Sequence, residues 1–179
     1  MIKLRPALES DQPDIEALLH KALGPDRQTK TAYKFRDGVP PVAELGRVAL
    51  VDGQLRGTIS YWPVRFRKLG AQKTVPVLLL GPLAVDPDHR GEGVGIELMV
   101  KTLEVARQLG HRLVILVGDL EYYERVGFHR DGTAKLRLPG PVDQDRVLMI
   151  NLQGEDFGTL DGPLDGKLES IRDELEHGT

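Results

Sequence analysis

The stretch Leu83-Ala84-Val85-Asp86-Pro87-Asp88-His89-Arg90-Gly91-Glu92-Gly93-Val94-Gly95 decides the reading of this chain. An apolar run, Val75–Val85, breaks at Asp86-Pro87. Three glycines follow, and then Ile96, Leu98, Met99, Leu103, Val105 and Ala106 recur at the spacing of a long helix that ends near Gly110. Arg112–Val117 is a continuous apolar run, as expected of a strand buried on both faces. Strand, long helix, strand implies a right-handed crossover and one parallel pair.

The glycines lie where a helix begins. The first N–H groups of a helix have no internal partner, and the helix dipole adds positive charge there. Glycine lets a pyrophosphate approach the backbone, and Arg90 can add charge-assisted hydrogen bonds. No Gly-Lys-Ser/Thr ending is present, so this is not a Walker loop. The sixth position counted from Gly91 is Ile96, which rules out the dinucleotide fingerprint. Arg-x-x-Gly-x-Gly remains, as an anion cradle or as a loop that merely joins strand to helix.

Upstream, residues 2–5 form a short expected strand. A helix starts at Ser10 or Asp11, with Pro13 in its first turn, and Gly24-Pro25 stops it. A second short helix is expected around Thr29–Asp37. Arg47–Val51 and Leu55–Trp62 flank Asp52-Gly53, a strong hairpin signal. Gly81-Pro82 interrupts the Val75–Val85 strand, either as a bulge beside a site or as an ordinary edge proline. Downstream, a short helix is expected at Glu121–Val126, strands near Phe128–Leu138 and Arg146–Leu152, and a short helix at Leu168–Glu176.

The cradle segment resembles the acetyl-CoA-binding motif of the GNAT N-acetyltransferase superfamily. Tyr122-Tyr123-Glu124-Arg125-Val126-Gly127-Phe128 resembles that superfamily's downstream tyrosine and Gly-Phe signature. The resemblance covers roughly residues 2–152. It implies an α/β single-domain acyltransferase fold: a mixed, mostly antiparallel sheet with one splayed parallel pair, flanked by helices. The pantetheine arm of acetyl-CoA would lie in the splay. By the same resemblance Leu83, Ala84 and Val85 would hold pantetheine, and the Leu83 N–H would polarise the thioester carbonyl. Arg90, Gly91, Glu92, Gly93, Val94 and Gly95 would hold the pyrophosphate, and Tyr123 would protonate the leaving thiolate. Tyr122 is expected to pack in the core. Asp119 ranks first as general base, ahead of Glu121 and Glu44. The asparagine that many relatives place before the tyrosine is absent from Val117-Gly118-Asp119-Leu120-Glu121.

The implied reaction is acetyl transfer from acetyl-CoA to an amine of a small molecule or peptide. The rivals are a silent CoA-binding module and a transferase using a longer acyl or an aminoacyl donor. Composition agrees with a soluble domain: 179 residues, 24 Lys plus Arg against 27 Asp plus Glu, 40% apolar and 28% charged residues. There is no cysteine, and the five histidines lack metal spacing, so no metal site is expected. No apolar signal core or spanning segment is evident, so the expectation is cytoplasmic, without membrane or nucleic-acid partners. The domain is expected to occupy residues 1–153. Residues 154–179 form an acidic tail of net charge −6, a candidate for covering the acceptor cleft or for pairing subunits in a homodimer. Arg65, Arg67, Lys68 and Lys73 read as a solvated turn.

Overall fold

A computed structural model describes residues 1–154 and 163–178. Its strands are β1 (Ile2–Pro6), β2 (Arg47–Val51), β3 (Gln54–Lys68), β4 (Val75–Val85), β5 (Leu113–Val117), β6 (Leu136–Arg137), β7 (Val147–Asn151) and β8 (Gly166–Ser170). Helices are α1 (Gln12–Leu23), α2 (Val94–Gln108), α3 (Leu120–Tyr123) and α4 (Arg172–His177). The main sheet runs β1-β2-β3-β4-β5-β7, with β8 joined to β3 and β6. Pairing along the main path is antiparallel except for β4 with β5, the strands on either side of α2. A mixed sheet with one parallel pair along its main path is the architecture expected; the short β6 also runs parallel to β8.

Local chemistry accounts for the elements. Pro13 sits in the first turn of α1, where its missing N–H has no intrahelical acceptor to serve. The β2–β3 hairpin turns on Asp52 and Gly53, both at positive φ, as a tight twisted hairpin requires. Period-two alternation sorts the side chains to the two faces. Leu78, Leu80, Val114, Leu116 and Ala49 face α2 through Val94, Leu98, Met99 and Leu103. Val77, Leu79, Leu113 and Ile115 join a cluster on the other face that includes Phe35, Leu136 and Leu168. On that second face Val48 and Ala84 meet Ile15, Leu18 and Leu19 of α1. Gly57 lets α2 sit close to the sheet, since a β-carbon there would lie 2.7 Å from Val94 and 3.0 Å from Leu98.

Four expectations need correction. Residues 27–35 form two 3-10 turns, not one helix over Thr29–Asp37. Between Phe128 and Leu138 regular pairing is confined to a His129–Met149 bridge and to β6, because Gly132 turns the chain at positive φ. The helix expected at Leu168–Glu176 begins only at Arg172. Gly166–Ser170 instead pairs antiparallel with Val64–Lys68. Leu168 is buried there, and Glu169 pairs with Arg65 at 3.0 Å and Arg67 at 2.8 Å. Arg65 also meets Asp173 and Glu174, so these two arginines are clamped by the acidic segment and are not a solvated turn. Lys68 and Lys73 are exposed. The acidic positions Glu155, Asp156 and Asp161 lie outside the described residues, as does the chain from residue 155 to 162, beyond the boundary expected at 153/154.

Candidate active site

The site begins with a mismatch in strand pairing. Ile59 faces Leu83 and Tyr61 faces Leu80, so β4 spends one residue more than β3 over this interval. The extra residue falls at Gly81-Pro82, which is a bulge. The parallel ladder with β5 consists of Leu78–Val114 and Leu79–Ile115 and goes no further, although the strands run on to Val85 and Val117. The pair therefore splays just where β4 is bulged.

Hydrogen-bond parity orients the backbone beyond the bulge. The Asp86 N–H donates to the Arg56 carbonyl at 2.7 Å, which makes Arg56/Asp86 a hydrogen-bonded pair. Bonded and non-bonded pairs alternate along an antiparallel ladder. Ala84, opposite Thr58, is consequently bonded to β3, whereas Leu83 and Val85, opposite Ile59 and Gly57, turn their N–H and C=O groups away from it. They point into the space that β5 has left.

A cavity of about 530 Å³ fills that space and reaches the start of α2, bordered by Leu83, Ala84, Val85, Arg90, Gly93 and Gly95, among others. Gly91 and Gly93 stand at φ +82° and +85°, with nothing within 4 Å of a β-carbon, and Gly93 caps α2. Their left-handed conformation turns the loop so that amides at the helix start open onto the cavity. Of the expected cradle residues, Glu92 stands apart. Its side chain is exposed, bonded to His89 Nδ1 at 2.9 Å, and it does not border the cavity. Asp86 fixes the approach. Buried, it accepts hydrogen bonds from the Asp88 N–H, Lys21 and Arg56, and these hold its carboxyl down at about 2, the backbone bond contributing most.

A second cavity, about 450 Å³, lies between Leu79–Leu83 of β4 and Leu116–Asp119 at the end of β5. Leu23, Leu83, Asp119, Tyr122 and Tyr123 border both cavities, so the two meet beside the Leu83 amide. Tyr123 is packed edge-on against Tyr122 and Phe128, with ring centroids 5.0 and 6.1 Å apart, and its ring lies against Gly118. Burial, helped by Tyr122 and Asp119, pushes its phenol up to about 12. Asp119 is exposed and sits 3.4 Å from Arg146. Glu121 and Glu44 border neither cavity. Tyr122, expected in the core, is only partly buried and reaches the first turn of α2, its hydroxyl against Gly95.

The family model for the acetyltransferase (GNAT) domain matches residues 3–130. This chain belongs to the GNAT acetyltransferase family. It is 31% identical over 161 residues to the Escherichia coli K12 protein named uncharacterized N-acetyltransferase YhbS, covering 89% of this chain and 92% of that one. The crystal structure of Escherichia coli YhbS in complex with CoA superposes with a TM-score of 0.74 at 25% identity, over 99% of this chain and 93% of that one. A GNAT acetyltransferase from Brucella melitensis in complex with acetyl-CoA gives 0.65 at 26% identity, over 94% and 95%. As a GNAT enzyme the chain is an acetyl-CoA-dependent acyltransferase, and the open glycine cradle and the outward-turned Leu83 and Val85 amides fit that donor. Among the described residues no helix is long and apolar enough to cross a membrane.

Proposed function

We propose that this GNAT enzyme transfers the acetyl group of acetyl-CoA to a primary amine of a small molecule or peptide, by direct attack within one complex in the cytoplasm. The observation that supports this most is the meeting of two cavities at Leu83, Asp119 and Tyr123, where the β4–β5 ladder ends. In this reading the glycine-rich cavity takes the donor and the other takes the acceptor. The Leu83, Ala84 and Val85 backbone holds the pantetheine, while Arg90 and the amides of residues 91–95 hold the diphosphate. The Leu83 N–H donates to the carbonyl oxygen as negative charge develops there.

The amine nitrogen forms a bond to the acyl carbon, and the carbon–sulfur bond breaks. Asp119, at the mouth of both cavities, accepts the amine proton, directly or through water. Tyr123, kept protonated by burial, donates to the departing sulfur. Holding both reactants at one amide supplies most of the acceleration. Residues 1–153 carry this chemistry, and the 154–179 segment braces the sheet through β8.

The test is release of free thiol from acetyl-CoA across amines and N-terminal peptides, with mass detection of the acetylated product. Acetyl-CoA binding with no amine-dependent thiol release would instead make the chain a silent CoA-binding module. Faster turnover with a longer acyl-CoA or an aminoacyl donor would reassign the transferred group.

A further inference from the structure

Arg36 lines the second cavity, and no carboxylate among the described residues balances its guanidinium. Its Nε and Nη1 are buried without a hydrogen-bond partner. The two other arginines that border this cavity differ. Arg27 is bonded to Glu16 at 2.6 Å, and Arg146 faces Asp119. Arg36 is stacked on Tyr33, 4.0 Å from the ring centroid, and lies 5.8 Å from the centroid of Trp62. Its Nη2 would lie 3.1 Å from a β-carbon on Gly81, so the guanidinium rests against the bulge that opens the active site.

The neighbours repeat the pattern. The Tyr33 hydroxyl, Trp62 Nε1 and Arg27 Nε are also buried and unpartnered. With Arg36 they border a further chamber of about 580 Å³ behind Pro82. Guanidinium and indole N–H groups donate only, and a phenol can donate. Buried donors left unpaired are costly, and a buried unpaired charge more so. Burial accordingly pushes the Arg36 guanidinium down, with Tyr33 opposing the shift. A group that brings acceptor oxygens and negative charge would relieve all of this at once.

Resting on the acetyl-transfer reading above, we propose that the acceptor is an amine that also carries a carboxylate, an amino-acid-like molecule whose acid group accepts hydrogen bonds from Arg36. A planar guanidinium held flat by aromatic rings suits a planar carboxylate better than a tetrahedral anion. Gly81, against which Arg36 rests, and Leu83 flank Pro82 and border the same cavity, so one compact molecule can place its acid at Arg36 and its amine at the acyl carbon. Trp62 and Tyr33 would complete the donor set around the acid.

The experiment follows the thermal unfolding of the CoA-saturated protein with N-acetyl-L-amino acids, the expected products, and with their carboxamides. At least one acid should raise the melting temperature while its carboxamide binds about 10- to 100-fold more weakly, the worth of one or two charge-assisted hydrogen bonds. Arg36→Gln should erase that preference while CoA alone still stabilises the variant. Arg36→Lys, which keeps the charge without the planar fork, should retain part of it and serves if the glutamine variant does not fold. Equal binding of acid and amide, an undiminished preference in the folded variants, or no stabilisation by any acid would overturn the proposal. Acid binding that depends on Arg36, without thiol release from acetyl-CoA and the parent amino acid, would sink the transfer reading and leave only the carboxylate subsite at Arg36 standing. Thiol release equally fast with amino acids and their carboxamides would do the reverse.

Discussion

The hydroxyl of Tyr122 rests against Gly95, in the space where a β-carbon would stand. A tyrosine beside the expected catalytic position therefore packs on the first turn of α2, and a glycine of the anion cradle is needed to admit it. Gly95→Ala should force Tyr122 aside and weaken acetyl-CoA binding by about tenfold or more, roughly the 1.4 kcal/mol that one such displacement costs. Tyr122→Phe in the same chain removes the clashing oxygen and should restore part of the affinity. Calorimetric titration of the two single variants and the double variant checks this, and additive losses would dissociate the two residues.

Tyr123→Phe should lower kcat by about 10- to 100-fold and leave acetyl-CoA affinity nearly unchanged, since proton donation acts mainly in the transition state. Its phenol is pushed up to about 12, chiefly by burial, so it stays protonated through the working range. The pH profile of kcat should accordingly show no loss attributable to Tyr123 below about pH 11. An equal drop in kcat and affinity would make the residue a packing element.

Asp119→Asn should reduce kcat/KM by about tenfold or more, if Asp119 takes the amine proton. The side chain is 77% exposed, so the substitution should not alter the melting temperature by more than about 2 °C. Undiminished kcat/KM in the variant would transfer the role to water or to the incoming amine.

Stability should fall in acid over a defined window. Asp11, held by Arg5 and the Leu8 N–H, Asp86, held by the Asp88 N–H, Lys21 and Arg56, and Glu169, held by Arg67 and Arg65, all sit at about 2. Each is lowered from an unfolded value near 4, so its contribution is complete above about pH 5 and is lost as pH falls from there through about 2. Urea midpoints measured from pH 6 to pH 2 should decline across that interval. In Glu169→Gln the decline should be shallower and the midpoint at neutral pH lower, because Arg65 and Arg67 lose their shared partner.

Much of the frame was legible in the sequence because its signals are local. Alternation and continuous apolar runs place β2 through β5, Asp52-Gly53 marks the hairpin, and Gly81-Pro82 offers the bulge as one of two readings. Glycines at a helix start are equally visible, although the sequence alone leaves a cradle and a plain joining loop both open. β8 was misread because Gly166-Lys167-Leu168-Glu169-Ser170 has no strong strand preference of its own. Its strand is fixed by Arg65 and Arg67, about a hundred residues earlier in the chain. Arg36 carried no signal at all, being one arginine among many until the fold sets it against Gly81 and Tyr33. Tyr122 reads as a core residue from the sequence; it packs against the core only in part and also borders the cavity beside the glycines.

The divergence of β4 from β5 is written into main-chain pairing, with the side chains around it free to differ. In the proposed reading main-chain groups grip the acyl carrier, so side chains on the facing wall can be exchanged for ones that greet another metabolite without loosening that grip. Specialisation becomes a matter of redecorating one wall of a room whose doorway never moves.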